Sequence, residues 1–118
     1  DDSHSWNESS RMTLYRKGTT NVYEGTIYIL PWGGDISLYA ASTVTPDYSK
    51  TQIYAKYFTG VEALNDNIKL PVPTASAFYK VAVDFKDGFT FDKVNLDGTN
   101  YTIVPTNGKK FTITFTAL

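Results

Sequence analysis

Aromatic side chains are the residues of this chain that are best suited to bind a ligand. Tyr15, Tyr28 and Tyr39 each lie in a segment where polar and apolar residues alternate, and the small aliphatic residues occupy the other positions of the alternation. Because successive side chains of a strand point to opposite faces of a sheet, we expect all three tyrosines to point away from the core. The pattern therefore predicts an outward row of rings on which a flat ligand stacks.

Two tryptophans extend this set of candidate ligand-binding residues. Trp6 precedes the first predicted strand, and Trp32 lies before Gly33-Gly34 at a predicted hairpin end. An exposed indole stacks on the axial C–H face of a sugar ring while neighbouring polar groups bond the hydroxyls, although either indole can instead fold back as a lid on the domain edge. The predicted ligand-binding residues are Trp6, Trp32, Tyr15, Tyr28, Tyr39 and Arg11, and we expect one of Tyr54 and Tyr57, on opposite faces of a fourth strand, to join them.

Residues suited to catalysis do not converge in this sequence. The sole histidine, His4, lies in a polar N-terminal segment, and the chain has no cysteine. A Ser-His-Asp system needs a well-positioned histidine as its base, and thiolate nucleophiles, disulfides and cysteine metal sites all need cysteine. We therefore predict that the protein is not an enzyme.

Carboxylates offer the remaining route to acid/base chemistry or to a metal site. Asp84, Asp87, Asp92 and Asp97 cluster around two predicted turns. Paired carboxylates serve as general acid and base, and calcium prefers such oxygen ligands. Turns and the solvent face of a strand already explain these residues, and no Asp-x-Asp-x-Asp-Gly loop is present. We therefore predict no cofactor, with a structural calcium ion as the open alternative.

Length and charge limit the possible partners. The chain has 118 residues, the size of one domain, with 19% charged residues and a net charge of −1. No basic surface is available for a phosphate backbone, so we predict no nucleic-acid partner, and no apolar run is long enough to insert into a membrane. We expect residues 1–5 to be a linker or disordered tail and residues 6–118 to form one domain.

The pattern of elements is typical of an all-β protein, because β-branched and aromatic residues alternate with polar ones and no segment has a helical period. Asp87-Gly88, Asp97-Gly98 and Asn107-Gly108 predict tight turns and a C-terminal meander. Gly18 and Gly33-Gly34 predict earlier hairpins that set Tyr15 beside Tyr28, and Tyr28 beside Tyr39. An antiparallel β-sandwich, immunoglobulin-like or carbohydrate-binding-module-like, fits best, and a small closed barrel is second. Strands are predicted near Arg11–Lys17, Val22–Leu30, Asp35–Ala40, Gln52–Phe58, Asp66–Leu70, Phe78–Lys86, Phe89–Val94, Tyr101–Val104 and Lys110–Thr116.

Several short segments resemble a known family. They are Ser5-Trp6-Asn7, then Met12-Thr13-Leu14-Tyr15, then Val22-Tyr23-Glu24-Gly25-Thr26-Ile27-Tyr28, and later Asn67-Ile68-Lys69-Leu70-Pro71 followed by Tyr79-Lys80-Val81-Ala82-Val83-Asp84-Phe85. Their order resembles the β-sandwich domains of the Bacteroidetes starch-utilisation outer-membrane lipoproteins of SusE/SusF type. The resemblance covers roughly residues 6–94. Gly34-Asp35-Ile36-Ser37-Leu38 departs from it, because it lacks the lysine of the family's corresponding strand.

The resemblance implies a non-catalytic carbohydrate-binding module on the cell surface, within a larger multimodular protein. Its partner would be a polysaccharide or oligosaccharide, held by aromatic stacking and hydrogen bonds, and the first tryptophan of the family pattern corresponds to Trp6. Two alternatives stay open from the residues themselves. One is an adhesin or phage receptor-binding head, and the other is a structural immunoglobulin-like spacer whose tyrosines pack on one another.

Overall fold

The computed structural model describes residues 12–40, 52–73, 75, 77–93 and 101–118. Within them the chain forms mostly strands, in several antiparallel sheets, and two short 3₁₀ turns. The all-β prediction is confirmed. His4, Trp6, Arg11 and Asp97 lie outside the described residues, and so do the predictions that concern them.

The strands are short except for two. The described strands are β1 (Tyr15–Arg16), β2 (Val22–Ile29), β3 (Asp35–Ile36), β4 (Leu38–Tyr39), β5 (Gln52–Ile53), β6 (Ala63–Leu64), β7 (Asn67–Lys69), β8 (Ala77–Asp84), β9 (Phe89–Lys93), β10 (Tyr101–Pro105) and β11 (Thr112–Ala117). The 3₁₀ turns are Ala55–Tyr57 and Thr106–Gly108. The two eight-residue strands, β2 and β8, form the centre of the largest sheet.

The largest sheet has four antiparallel strands in the order β1-β2-β8-β11. Strict alternation divides it into two faces, and Val83 lies opposite both Tyr23 of β2 and Ile113 of β11. Val81 and Val83 are buried on the inner face, whereas Lys80 of the same strand is exposed. Side chains of the other parity form what we call the outer face.

The core lies on the inner face and is shared with the smaller sheets. Ile53 of β5, Ile68 of β7 and Ile103 of β10 are buried in one cluster with Val81 and Val83. Those three residues come from a two-stranded sheet, a three-stranded sheet and a second two-stranded sheet. The prediction of a sandwich therefore stays a prediction, because the elements that face the large sheet form small separate sheets rather than one second layer.

The prediction of a C-terminal meander is wrong, because the strands pair in a different order. Strands β9 and β10 do form an antiparallel hairpin, but β8 pairs with β2 and β11 rather than with β9. Lys86 and Gly88 take positive φ values of 56° and 97°, and the backbone N–H of Phe85 donates to Asn21 rather than into a β8–β9 ladder. The chain turns at these residues and leaves the large sheet, so β9 begins in a separate sheet.

The segment predicted as one strand from Asp35 to Ala40 is divided between two sheets. Strand β3 pairs with β7, whereas β4 pairs with β5. Ser37 separates them, and its hydroxyl donates to the side-chain oxygen of Asn67 at 2.8 Å. Neither strand pairs with β2, so the predicted hairpin between the second and third strands is wrong.

Three phenylalanine rings join the large sheet to the rest of the core. Phe111 has no exposed surface, and its ring packs edge-to-face on Phe58 at 5.5 Å and on Phe85 at 4.9 Å between ring centroids. The backbone N–H of Phe111 also donates to the carbonyl of Tyr57, next to Phe58. Phe111 therefore anchors the start of β11 to the segment that follows β5.

We expect Phe111→Ala to lower the free energy of unfolding by about 3–5 kcal/mol, because a fully buried ring leaves a cavity that the surrounding strands cannot fill. Phe91→Ala is the matched control, because Phe91 is 60% exposed, and a change of less than about 1 kcal/mol is expected. Urea denaturation followed by far-ultraviolet circular dichroism measures both. Equal losses in the two variants would contradict this description of the core.

Candidate functional site

The outer face of the four-stranded sheet carries two of the predicted ligand-binding tyrosines. Tyr15 of β1 lies opposite Glu24, and Tyr28 lies on the same strand as Glu24 and at the same parity, opposite Phe78. Paired residues share a face, so Tyr15, Tyr28 and Phe78 all project from the outer face. This outward orientation agrees with the prediction for Tyr15 and Tyr28.

Tyr15 is the more exposed of the two predicted rings, with 72% of its surface accessible. The position of β1, which carries Tyr15, is set by a close contact between Gly25 of β2 and the residues just before β1. A Cβ built on Gly25 would lie 2.8 Å from Leu14 Cδ2 and 2.9 Å from the carbonyl oxygen of Thr13, closer than real Cβ contacts occur. The missing side chain at Gly25 thus lets Leu14 pack onto the inner face while Tyr15 projects outward.

Tyr28 and Phe78 form an aromatic pair at the other end of the face. Their ring centroids are 4.8 Å apart with the planes tilted by 58°. Phe78 is 55% exposed, whereas Tyr28 is half-buried, so the accessible ring of the pair is Phe78. Phe78 is not among the residues predicted to bind a ligand. The parity that places Tyr79 and Val81 inward already indicates an outward Phe78.

A polar strip separates these aromatic ends. Lys80 Nζ lies 3.1 Å from Glu24 Oε2, and both side chains keep accessible surface. Thr26, exposed and directly opposite Lys80, adds a hydroxyl. A shallow groove of about 290 Å³ lies here, lined by Glu24, Gly25, Thr26, Lys80 and Leu118. The strip therefore offers a carboxylate, an ammonium and a hydroxyl within one concave surface.

The spacing of the face follows from strand geometry. Tyr15 lies level with Glu24 and Phe78 level with Tyr28, so the two aromatic ends are four residues apart along the strands and two strands apart across them. That corresponds to about 13 Å along and about 10 Å across the sheet. Thr26 lies at the midpoint of this diagonal, between Glu24 and Lys80. The prediction that Tyr15 lies beside Tyr28 is therefore wrong, because Tyr15 pairs with Glu24, four residues away from Tyr28 along β2. The exposed rings lie on a diagonal with a polar centre.

Tyr39 is not part of this face. It lies on β4 opposite Gln52 of β5, in a different sheet from Tyr15 and Tyr28, and it is half-buried. Tyr39 is instead close enough to Tyr54 to contribute to the raised pKa of the Tyr54 phenol. The prediction that Tyr28 lies beside Tyr39 is wrong, because the chain leaves the large sheet after β2 and pairs β3 with β7 and β4 with β5.

Tyr54 and Tyr57 lie on the same side of their segment rather than on opposite faces. The chain turns into a 3₁₀ helix at Ala55–Tyr57 instead of continuing β5. Tyr54 is the extended residue just before this turn. Lys56 Nζ lies 5.7 Å from the ring centroid of Tyr54 and 5.3 Å from that of Tyr57, so a lysine of the chain lies against both rings, which we call the aromatic corner.

A hydrogen-bonded side-chain network ties the small sheets together near this corner. Asn67 Oδ1 accepts from Ser37 Oγ at 2.8 Å and from Gln52 Nε2 at 2.9 Å, while Asn67 Nδ2 donates to Asp35 at 2.8 Å. The three interactions connect β3, β5 and β7 with the Ser37 junction. These hydrogen bonds use both the oxygen and the nitrogen of the Asn67 amide. We therefore interpret the network as a structural cross-link between the small sheets rather than as a ligand-binding site.

Trp32 is exposed, with 57% of its surface accessible, rather than folded back as a lid. It lies in a turn just after β2, where the backbone N–H of Gly33 donates to Leu30 at 2.9 Å. Gly33 has a φ of 77°, and a Cβ there would lie 3.1 Å from Val72 Cγ2. Because residue 33 has no side chain, the turn can pack closely against Pro71 and Val72. The indole of Trp32 remains exposed to solvent.

Two carboxylates of the predicted cluster, Asp84 and Asp87, are engaged in ion pairs. Asp84 accepts from the backbone N–H of Lys86 at 2.8 Å and lies 3.5 Å from its Nζ, and Asp87 lies 3.5 Å from Lys109 Nζ. In the described part of the chain, no three histidine, cysteine, aspartate or glutamate residues are grouped as a metal site would require. The prediction about calcium stays untested.

Comparison of the chain with protein-family models, with curated proteins and with solved structures gives no match. The resemblance to the starch-utilisation lipoproteins is therefore neither supported nor opposed, and it stays a prediction. Across the described ranges, none of the helical turns has the length and apolar character needed to cross a membrane.

Tyr54 provides a pH-dependent test of the aromatic corner. Burial, and then the charge of Asp66 and the proximity of Tyr57 and Tyr39, raises the pKa of the Tyr54 phenol above its ordinary value of about 10. A pKa raised in the folded state contributes stability that is complete below the unfolded pKa and is lost as pH rises through the folded pKa. The native state should therefore lose stability above a pH of about 10.

We expect Tyr54→Phe to lose less stability than the wild type over this alkaline range, measured by urea denaturation at a series of pH values. Asp66→Asn is the companion variant. It should bring the pKa of Tyr54 closer to its ordinary value without restoring it, because burial remains the larger cause. An alkaline decline in Tyr54→Phe as steep as in the wild type would contradict this explanation.

Proposed function

We propose that the protein is a non-catalytic carbohydrate-binding module whose ligand lies across the outer face of the four-stranded sheet. The observation that carries the proposal is the placement of exposed Tyr15 and Phe78 at opposite ends of a polar strip on one face. Sugars are amphipathic in the same way, with apolar C–H faces and polar edges. Aromatic rings supply stacking, and the strip supplies hydrogen bonds to hydroxyls.

The length of the face favours an oligosaccharide or polysaccharide over a single sugar. The diagonal between Tyr15 and Phe78 is longer than one pyranose ring, since it covers about 13 Å along the strands and about 10 Å across them. A ligand of several units reaches both ends, whereas a monosaccharide reaches one. This proposal implies an extracellular or cell-surface location within a larger protein.

We expect Phe78→Ala to weaken oligosaccharide binding about tenfold, because the accessible stacking ring at one end is lost. Tyr15→Ala should produce a similar loss at the other end. Isothermal titration calorimetry, with a ligand first identified on a glycan array, measures both. Thermal unfolding should show that both variants remain folded, since both side chains are exposed.

Phe91→Ala is the matched control for Phe78→Ala, because Phe91 is a similarly exposed phenylalanine on another sheet, with 60% of its surface accessible. It should bind as the wild type does. If Phe91→Ala weakens binding as much as Phe78→Ala, or if neither Phe78→Ala nor Tyr15→Ala changes it, the outer face is not the binding surface.

A structural module within a larger surface protein is the second candidate, and the Tyr28–Phe78 contact at 4.8 Å favours it. Directly opposed aromatic residues stabilise a sheet by about 0.2–1 kcal/mol whether or not a ligand binds. Under this alternative, Tyr28→Ala lowers the unfolding temperature, and no saccharide on a glycan array binds the wild type. Under the carbohydrate-binding proposal, the same variant also weakens ligand binding.

A further inference from the structure

The centre of the outer face is electrically balanced. Glu24 and Lys80 form an ion pair at 3.1 Å, and Asp84, the other acidic residue of β8 on this face, lies 3.5 Å from Lys86. Each acidic group on the strands of the face thus has a cation beside it. A ligand that crosses the strip meets one carboxylate and one ammonium rather than a field of either sign.

The Glu24–Lys80 pair keeps hydrogen-bonding capacity toward solvent. Its side chains retain 28% and 46% of their accessible surface, respectively. A carboxylate accepts several hydrogen bonds and an ammonium donates three, so one mutual contact leaves groups free on both residues. A pair of neighbouring hydroxyls can donate to Glu24 and accept from Lys80 at the same time, which suits a sugar diol.

A negatively charged sugar fits this centre poorly. A uronate placed on the strip gains an attraction to Lys80 but meets the carboxylate of Glu24, which lies close to that ammonium. The carboxylate of the ligand would also have to be partly desolvated beside a like charge. A neutral sugar encounters neither cost.

We infer that the Glu24–Lys80 pair is a specificity determinant that restricts the outer face to neutral oligosaccharides and excludes acidic ones. The inference rests on the proposed function, and it adds the chemical class of the ligand and the residues that select it. Removal of the charge of Glu24 leaves Lys80 unpaired and changes the centre of the strip from neutral to cationic.

The test compares two classes of ligand on three proteins. The ligands are glucose hexasaccharides, in α-linked and β-linked series, and hexasaccharides of galacturonic acid and mannuronic acid. The proteins are the wild type, Glu24→Gln and Glu62→Gln. Glu62 is the matched control, because it also forms an exposed ion pair with a lysine, Lys69, at 3.4 Å, but it does not line the groove.

We expect the wild type to bind at least one neutral series, and to bind the uronates about fivefold or more weakly, by isothermal titration calorimetry. Glu24→Gln should gain uronate binding by about fivefold, and this gain should disappear at high salt because an exposed charge is screened. Glu62→Gln should behave as the wild type does. A gain of binding cannot result from loss of folding.

Three results would overturn the inference. Equal or tighter binding of uronates by the wild type, or equal behaviour of Glu24→Gln and Glu62→Gln, would refute the selectivity while leaving carbohydrate binding in place. Absence of binding to both ligand classes by the wild type, together with a negative glycan array, would instead refute the proposed function and the inference with it.

Discussion

Edge-to-face packing of Phe111 against Phe58 and Phe85 is the interaction on which the remaining structure depends. Phe85 follows β8, Phe111 precedes β11 and Phe58 follows the 3₁₀ turn after β5. The three rings therefore connect the large sheet with the segment that leads to the small sheets. Once their position fixes the inner face of β8, the alternation of the strand requires Phe78 and Lys80 to point outward.

The outer face is thus a consequence of core packing rather than an independent feature. Val81 and Val83 are buried on one side of β8, so Lys80 and Phe78 project from the other, and the register with β2 sets Glu24 and Tyr28 beside them. A shift of one residue in either strand would exchange the two faces. The arrangement of aromatic ends and polar strip is therefore set by the same strand register as the core beneath it.

Alternation within a strand made part of this arrangement predictable from the sequence. It predicts the all-β class, the long strands β2 and β8, and the outward orientation of Tyr15 and Tyr28. The outward orientation of Phe78 follows from the same rule, although Phe78 is not among the predicted ligand-binding residues. The pairing of strands was not predictable, since β8 pairs with β2 and β11 across long sequence separations that no local pattern encodes. Tyr39 was misplaced for this reason, and Tyr57 because a 3₁₀ turn replaced the end of a predicted strand.

Binding on the outer face is tested most directly by mapping the ligand-contact surface by nuclear magnetic resonance, with a neutral oligosaccharide titrated into isotope-labelled protein. We expect the largest chemical-shift changes to fall on outer-face residues, centred on Thr26 and extending toward Tyr15 and Phe78. Inner-face residues such as Val83 should change little. Changes concentrated around Tyr54 and Tyr57, or around Trp32, without changes at Thr26 would contradict it.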